Sequence, residues 1–223
     1  MVKSQSLRAG DIFHPAPQKR GRVSEAARRS AILDCADQVF LEVGFQAASM
    51  SVIAARFGGS KGTLYNYFAS KEDLFLACVQ RHCQTVQEQM SSLYSEGGSP
   101  REVLQRLGRR YVAFVSSEDT VRKFRMIVAE AERAPDLARG FYETGPARGA
   151  EMLAAYLQQA MADGALKTAD PMRAARQFLA LCYTHLSKAR LCNVAPAPDE
   201  AAIAEDVEEA VRIFLASYAT EAG

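Results

Sequence analysis

The segment from Ser60 to Phe68, Ser-Lys-Gly-Thr-Leu-Tyr-Asn-Tyr-Phe, constrains the fold more than any other part of the chain. It follows a Gly-Gly pair and has the length of a short helix. Leu64 and Phe68 are spaced i and i+4, so one face of this helix is predicted to be buried in a core. The opposite face keeps a lysine, a glycine, hydroxyls and an amide. Small and hydrogen-bonding groups of this kind suit a helix that lies in the major groove of DNA.

The residues before this segment predict the partner helix of a helix-turn-helix. Residues 49–57 place apolar side chains at helical spacing, and the Gly-Gly pair supplies a tight turn, because glycine adopts positive φ at little cost. Ser49 and Ser60 are placed to cap the two helices, since a hydroxyl accepts a hydrogen bond from an unpaired backbone N–H. The pair therefore spans residues 49–68. Residues 25–43 carry an apolar stripe of period 3.6 that Gly44 ends, which predicts a third helix in the same core.

The rest of the chain predicts helices only, separated by glycine and proline breaks. No segment alternates apolar and polar residues over the length of a strand. We therefore predict an all-α protein of about nine helices. The predicted domains are a flexible basic arm (1–23), a three-helix helix-turn-helix domain (24–84) and a C-terminal helical domain (85–223). Helices after the first three are predicted over residues 71–94, 101–115, 120–133, 135–143, 146–163, 171–192 and 199–218.

Charge and composition exclude several function classes. The formal net charge is +1, but residues 1–71 hold ten lysines and arginines against five acidic residues, as expected of a protein that meets DNA with one end. The five cysteines lack metal-ligand spacing, so we predict reduced thiols, no metal and no cofactor. The three histidines are unhelpfully spaced and no phosphate loop is present, so the chain is not predicted to be an enzyme. Neither a membrane span nor a signal-peptide core is found, and a cytoplasmic location without a membrane partner is predicted.

Five motifs share the spacing of one known family: Ile32-Leu33-Asp34, Phe40-Leu41-Glu42-Val43-Gly44-Phe45, Ile53-Ala54, the segment from Ser60 to Phe68, and Ser70-Lys71-Glu72-Asp73-Leu74. On these motifs, residues 29–76 resemble the DNA-binding domain of the TetR/AcrR family of bacterial regulators. A later run, Ala129 to Leu137 with Phe141-Tyr142-Glu143 and Gly145-Pro146-Ala147-Arg148, is similar to the C-terminal domain of the AefR-like branch.

This resemblance implies a homodimer that binds a palindromic operator in double-stranded DNA, and a C-terminal domain that binds ligand and dimerises. We predict a ligand-responsive transcriptional regulator, a repressor released by a small, largely apolar effector. It would lie in the bacterial cytoplasm and associate with the nucleoid when bound to its operator. The alternative is a TetR-like structural or adaptor protein that recruits a protein partner to DNA without a small-molecule effector. An enclosed apolar cavity in the second domain would separate these two functions.

The exposed side of the helix-turn-helix is assigned to DNA, with lysines and hydroxyls reaching phosphates and the polar side chains reaching base edges. The predicted DNA-binding residues are Arg28, Arg29, Ser49, Met50, Ser60, Lys61, Gly62, Thr63, Tyr65, Asn66, Tyr67 and Lys71. The arm residues Lys19, Arg20 and Arg22 leave two interpretations open. They are part of a disordered leader, or they lie beside the phosphates or in the minor groove.

Two further sets are predicted in the second domain, and ordinary core packing is the alternative for every member. The predicted ligand-binding residues are Phe114, Phe124, Met126, Phe141, Tyr142, Met152, Tyr156, Phe178 and His185. The last two helices carry apolar faces that serve the core, and the face of the final helix is wide enough to serve a partner as well. The predicted dimerisation residues are Leu179, Cys182, Leu186, Val207, Val211, Phe214, Leu215 and Tyr218.

Overall fold

The computed structural model describes residues 24–220, which form eleven α-helices, one π-helical turn and no strand. The predicted all-α class is confirmed. None of these helices combines the length and the apolar character that a membrane span requires. The predicted arm, residues 1–23, lies outside the described residues. The helices are α1 (Glu25–Ala47), α2 (Met50–Phe57), α3 (Lys61–Tyr65), α4 (Lys71–Ser95), α5 (Pro100–Val115), α6 (Glu118–Glu130), α7 (Pro135–Tyr142), α8 (Arg148–Ala162), α9 (Pro171–Cys182), α10 (His185–Leu191) and α11 (Glu200–Tyr218), with the π turn over Glu143–Ala147.

The first core joins α1, α2 and α3 to the first half of α4. At its centre the ring of Phe40 lies 4.8 Å from Phe75 and 5.9 Å from Phe45, measured between centroids. Leu64 anchors α3 in this core and Phe68 follows it, so the two inward residues predicted for the short helix are confirmed. Burial of these side chains stabilises α2 and α3, which have eight and five residues and are too short to persist alone.

The second core is built by α5, α8, α9 and α11 together with the far end of α4. Phe178 of α9 meets Phe214 of α11 edge to face, with ring centroids 5.4 Å apart. Met90, Leu93 and Tyr94 bring α4 into contact with this core. Because α4 contributes side chains to both cores, it connects them mechanically.

Helices α6 and α7 lie against the first core, although in the chain they come between α5 and α8 of the second core. Ile127 and Leu137 are buried among the residues of α1 and α4. Gly140 brings α7 close to α4, because a side chain there would lie 2.8 Å from Leu76. A lysine of α6, Lys123, forms an ion pair with Asp37 of α1 across the same contact. The first core therefore includes α6 and α7 as well as the helices of the N-terminal unit.

Three breaks in the helices depend on identifiable residues. Gly44 has φ 78° and ψ 168°, so the regular part of α1 ends where the sequence predicts. The helix predicted over 171–192 is wrong as a single element, because it breaks at Tyr183 and Thr184 caps α10. Pro146 lies inside the π turn instead of beginning a helix. Proline cannot donate a backbone hydrogen bond and collides with the carbonyl four residues earlier, and a wider turn accommodates both defects.

We expect Gly108→Ala to lower the free energy of unfolding by about 1–3 kcal/mol, the usual cost of an added methyl group in a packed core. A methyl group at Gly108 would lie 2.7 Å from Cγ1 of Val207, where α5 crosses α11. Gly149→Ala is the matched control, because nothing lies within 4 Å of its new methyl group. Alanine in that helix should add about 0.4–1 kcal/mol. Urea denaturation followed by circular dichroism measures both, and equal effects would contradict this packing.

Candidate DNA-binding face and effector cavity

Helix α3 turns one face to the core and the other to solvent. Leu64 is fully buried, whereas Lys61, Gly62, Tyr65 and Asn66 are exposed. The ring of Tyr65 is 45% exposed, which is unusual for a large aromatic side chain on a packed helix. The outward face is therefore small, hydroxyl-bearing and cationic.

Serine caps set the direction of the two helices. The hydroxyl of Ser49 accepts a hydrogen bond from the backbone N–H of Val52 at 3.2 Å, and that of Ser60 accepts from Thr63 at 3.1 Å. Ser60 and Thr63 also share a hydroxyl hydrogen bond of 2.9 Å. Gly58 between them has φ 77° and ψ 29°, a left-handed conformation that ends α2. Both predicted caps are confirmed, and each satisfies one of the backbone N–H groups that the first turn of a helix leaves without a partner.

Cations flank the exposed face. The ammonium of Lys61 lies 5.6 Å from the ring centroid of Tyr65, and the guanidinium of Arg29 lies 5.0 Å from that of Phe68. Arg28 is exposed in the first turn of α1. Stacking on an aromatic ring restricts the cation without neutralising it, so these charges remain free to meet phosphates.

Three predicted DNA-binding residues have other surroundings in the structure. Met50 is buried in the first core, so a contact of its side chain with DNA is ruled out in this conformation. Lys71 donates a hydrogen bond of 2.8 Å to the carbonyl oxygen of Phe45 and lies over that ring, which ties α4 to the end of α1. Tyr67 is half-buried against the first core, which leaves Tyr65 as the outward tyrosine of α3.

A cavity of about 430 Å³ is lined by residues of every helix from α4 to α10 and of the π turn. Its wall is largely apolar, and its size suits one small organic molecule. Of the nine residues predicted to bind ligand, five line this cavity: Phe114, Phe124, Phe141, Tyr142 and Phe178.

The other four predicted ligand-binding residues lie elsewhere, which corrects the sequence-based prediction. Met126 packs against the first core. Tyr156 packs against Tyr94 in the second core, with ring centroids 5.4 Å apart. Met152 is half-buried on α8 outside the cavity wall, and His185 is exposed at the start of α10. Composition alone could not decide which face of each helix these side chains occupy.

Sequence reasoning missed the part of the cavity wall that α4 supplies. Val79, Cys83, Val86 and Met90 follow one another at helical spacing along this wall, and the spacing is visible in the sequence. His82 lies on the same side of α4 and its Nε2 is 2.9 Å from the hydroxyl of Thr120 on α6. Burial, and then the positive charge of Lys123, lower the pKa of His82 below its ordinary value of 6.5. A neutral imidazole therefore lines the cavity at neutral pH.

Four of the predicted dimerisation residues belong to the core of a single chain. Cys182, Val207, Val211 and Phe214 are each no more than 1% exposed, so the prediction that they form a partner surface is wrong. Leu179 lines the cavity instead. Leu186, Leu215 and Tyr218 are half-buried. The apolar stripe of α11 faces its own core because α5 and α9 both pack on it.

The outer surface of α9 and α11 carries a separate apolar groove. Ile213, 40% exposed, is the largest exposed apolar side chain in it. The hydroxyl of Tyr218 donates a hydrogen bond of 2.5 Å to Gln177 across the groove. The groove is lined by Gln177, Ala180, Leu181, Ile213, Phe214, Ser217 and Tyr218, and Phe214 forms its buried floor.

The thiols and acidic residues form no obvious chemical site. Burial raises the pKa of Cys78 and of Cys182 to about 12, so both remain protonated. All five cysteines are free. Among residues 24–220, no group of three or more histidine, cysteine, aspartate or glutamate side chains is placed to hold a metal ion.

Two family models match most of the described chain. Residues 32–78 match the bacterial regulatory proteins of the tetR family, and residues 102–220 match the C-terminal domain of AefR-like transcriptional repressors. The first match covers α2 and α3 and the second covers most of the cavity wall.

Curated relatives share shorter stretches. The chain is similar to the transcriptional activator FasR of Mycolicibacterium smegmatis, with 42% identity over 76 residues, 34% of this chain and 35% of FasR. It is similar to the repressor Rv1474c of Mycobacterium tuberculosis, with 31% identity over 60% of this chain and 66% of that protein. The chain thus spans about a third to two thirds of the length of these curated relatives.

Solved structures match over most of both chains. A TetR-family regulator from Mesorhizobium loti superposes with a TM-score of 0.82 and 28% identity over 87% of this chain and 98% of that one. The flavonoid-responsive regulator FrrA superposes with a TM-score of 0.71 and 33% identity over 88% of this chain and 99% of FrrA.

The buried imidazole predicts a pH dependence of stability. Since the pKa of His82 is lowered in the folded state, the unfolded chain binds more protons once the pH falls below about 6.5, its unfolded value. The free energy of unfolding should therefore decrease as the pH is lowered from 7.5 towards 5.5. His82→Gln, which keeps a polar group near Thr120, should flatten this slope. Urea titrations at several pH values measure it, and identical slopes for the two proteins would show that His82 does not contribute.

Proposed function

The chain belongs to the TetR family of bacterial transcriptional regulators, with an AefR-like C-terminal domain, and we propose that it represses transcription by binding a palindromic operator as a homodimer until a small effector releases it. The match to AefR-like repressors favours repression. The main support for this proposal is the exposed face of α3. Lys61, Tyr65 and Asn66 project from a helix whose other side is held in a core, the arrangement that a recognition helix needs. Arg28 and Arg29 contribute charge beside it for the phosphates.

The effector enters the cavity between α4 and the helices of the second unit. Its largely apolar wall fits a small, mostly apolar molecule, and FrrA is itself named as a flavonoid-responsive regulator. Because α4 lines the cavity and also packs on α1, a ligand that repositions α4 changes the direction of α3. Release from DNA then follows from a difference in effector affinity between the two arrangements.

The alternative function, a DNA-bound adaptor without an effector, is not favoured. An adaptor has no need of a largely apolar cavity of about 430 Å³, because apolar side chains that line an unfilled space forfeit packing contacts.

The homodimer is proposed to form through the groove on the outer surface of α9 and α11. Ile213 and Leu181 offer apolar contact there, and the same surface patch on two copies is self-complementary about a two-fold axis. Two recognition helices held in this way match the two half-sites of a palindrome.

Tyr65→Ala tests DNA binding. We expect operator affinity to fall by about 1–3 kcal/mol per half-site, the range for one phosphate or base contact, without a change in thermal stability. Val194→Ala is the control, because Val194 is also a large exposed apolar side chain but lies in the loop between α10 and α11 and lines no part of the cavity. Fluorescence anisotropy on a duplex selected from a random library measures both. Unchanged affinity for Tyr65→Ala would reject α3 as the recognition helix.

Two adjacent residues of α11 test the dimer surface. Ile213→Glu should give folded monomers, because a charge placed in an apolar interface prevents association. Phe214→Glu should instead unfold the chain, since Phe214 is only 1% exposed. Light scattering and circular dichroism separate the two outcomes. A folded dimer for Ile213→Glu would place the interface on another surface.

A further inference from the structure

One cation lies buried in the wall of the effector cavity. The side chain of Lys123, on α6, is only 4% exposed and lines the cavity together with His82 and Thr120. Lysine is rarely buried to this extent without a partner, because its ammonium loses the hydration that stabilises its charge. The partner here is Asp37 on α1, whose two carboxylate oxygens each lie 2.9 Å from Nζ of Lys123.

The hydrogen bonds of this pair are incomplete. An ammonium has three donors, and among the described residues Asp37 is the only acceptor that Lys123 reaches. On the other side, the buried Oδ1 of Asp37 accepts no hydrogen bond of good geometry. Unused donors on a buried ammonium favour any acceptor that enters the neighbouring space.

The other polar groups at this end of the cavity do not compete for that acceptor. Burial keeps His82 neutral, and it is already 2.9 Å from Thr120. Gln87 donates to the carbonyl oxygen of Thr144 in the π turn at 2.6 Å. The second cation of the wall, Arg176, is exposed on α9, so solvent screens its charge. Lys123 is therefore the buried positive group that an incoming molecule meets.

From this geometry we propose that the effector carries an anionic oxygen, a carboxylate or a phenolate, on an apolar body. This oxygen replaces Asp37 as the ion-pair partner of Lys123. The proposal rests on the repressor function above and specifies its ligand. The apolar body fills the space between the phenylalanines of the wall, and the anion occupies the unused donors of the ammonium. Exchange of partners removes the ion pair that joins α6 to α1. Asp37, whose side chain is 22% exposed, is then stabilised by water.

Because Asp37 and the ligand compete for the ammonium of Lys123, each should weaken the binding of the other to that group. The exchange is therefore visible in binding alone, before any DNA is added. It also explains why a regulator would place an ion pair between α6 and α1, where a buried pair adds little to stability compared with apolar packing.

Two fluorescent probes with the same ring system test the ligand class: anilinonaphthalene sulfonate, which carries a permanent anion, and its uncharged parent, phenylnaphthylamine. Titration of the full-length protein should give tighter binding of the anionic probe. Lys123→Met should weaken that probe by roughly 10–100-fold, the value of one charged hydrogen bond, and leave the uncharged probe unchanged. Asp37→Asn should tighten the anionic probe by about tenfold, because the competing carboxylate is gone.

The double variant Asp37→Asn/Lys123→Met keeps the test valid if the single lysine variant does not fold, since it leaves no unpaired carboxylate. Gly149→Trp reports whether either probe occupies the cavity, because Gly149 lines it and a side chain there meets open space. This variant should reduce the binding of both probes.

The outcomes separate the proposal from the function on which it rests. If both probes bind and Gly149→Trp weakens them, but the lysine variants affect them equally, the effector cavity stands and the anionic ligand is rejected. If Arg176→Gln, and not Lys123→Met, removes the preference for the anion, Lys123 is rejected as its partner. An anionic-probe affinity that Asp37→Asn does not change would reject the exchange. If Gly149→Trp changes the binding of neither probe, the cavity is not an effector site, and both the release of the repressor by an effector and the anionic ligand are rejected, whereas DNA binding by α3 is unaffected.

Discussion

The structure depends on one helix that must satisfy two cores at once. The first half of α4 buries Leu74 and Phe75 beside α1, and its second half brings Met90 and Tyr94 to the other unit. A close-packed interior transmits small displacements instead of absorbing them. Any change that moves the far end of α4 therefore reaches the helices that hold α3, and this needs no flexible linker between the cores.

The contact between α6 and α1 is a second contact, besides that of α4, that fixes the position of α1. Its apolar part, centred on Ile127, holds the two elements together, whereas the pair of Lys123 and Asp37 sets their relative position. An ion pair is directional and has alternative partners, and an apolar contact has neither property. The cavity lies beside the directional part of this contact, so a change inside it can act where α6 is most specifically joined to α1.

The sequence predicted the features that depend on local chemistry. Ser49 and Ser60 cap their helices, and Gly44 ends the regular part of α1, because each effect involves only a few neighbouring residues. It did not predict which apolar face meets which neighbour. Val207 and Phe214 carry the periodicity of a buried stripe, and that periodicity is the same whether the stripe meets its own chain or a second copy. The break at Tyr183 was missed because neither glycine nor proline marks it, and the role of Lys123 was missed because its partner lies far away in the sequence.

The π turn makes the wall of the cavity sensitive to insertions and deletions, and not only to substitutions. A π turn holds one more residue than the α-helical turn that it replaces, so a deletion within Glu143–Ala147 would restore regular winding and an insertion would displace it further. Each residue added or removed rotates the following helix by about 100°, since an α-helix has 3.6 residues per turn. The side chains that α8 presents to the cavity would then be exchanged as a set. A change in length at this one point would therefore give the cavity a different lining and leave α3 unchanged.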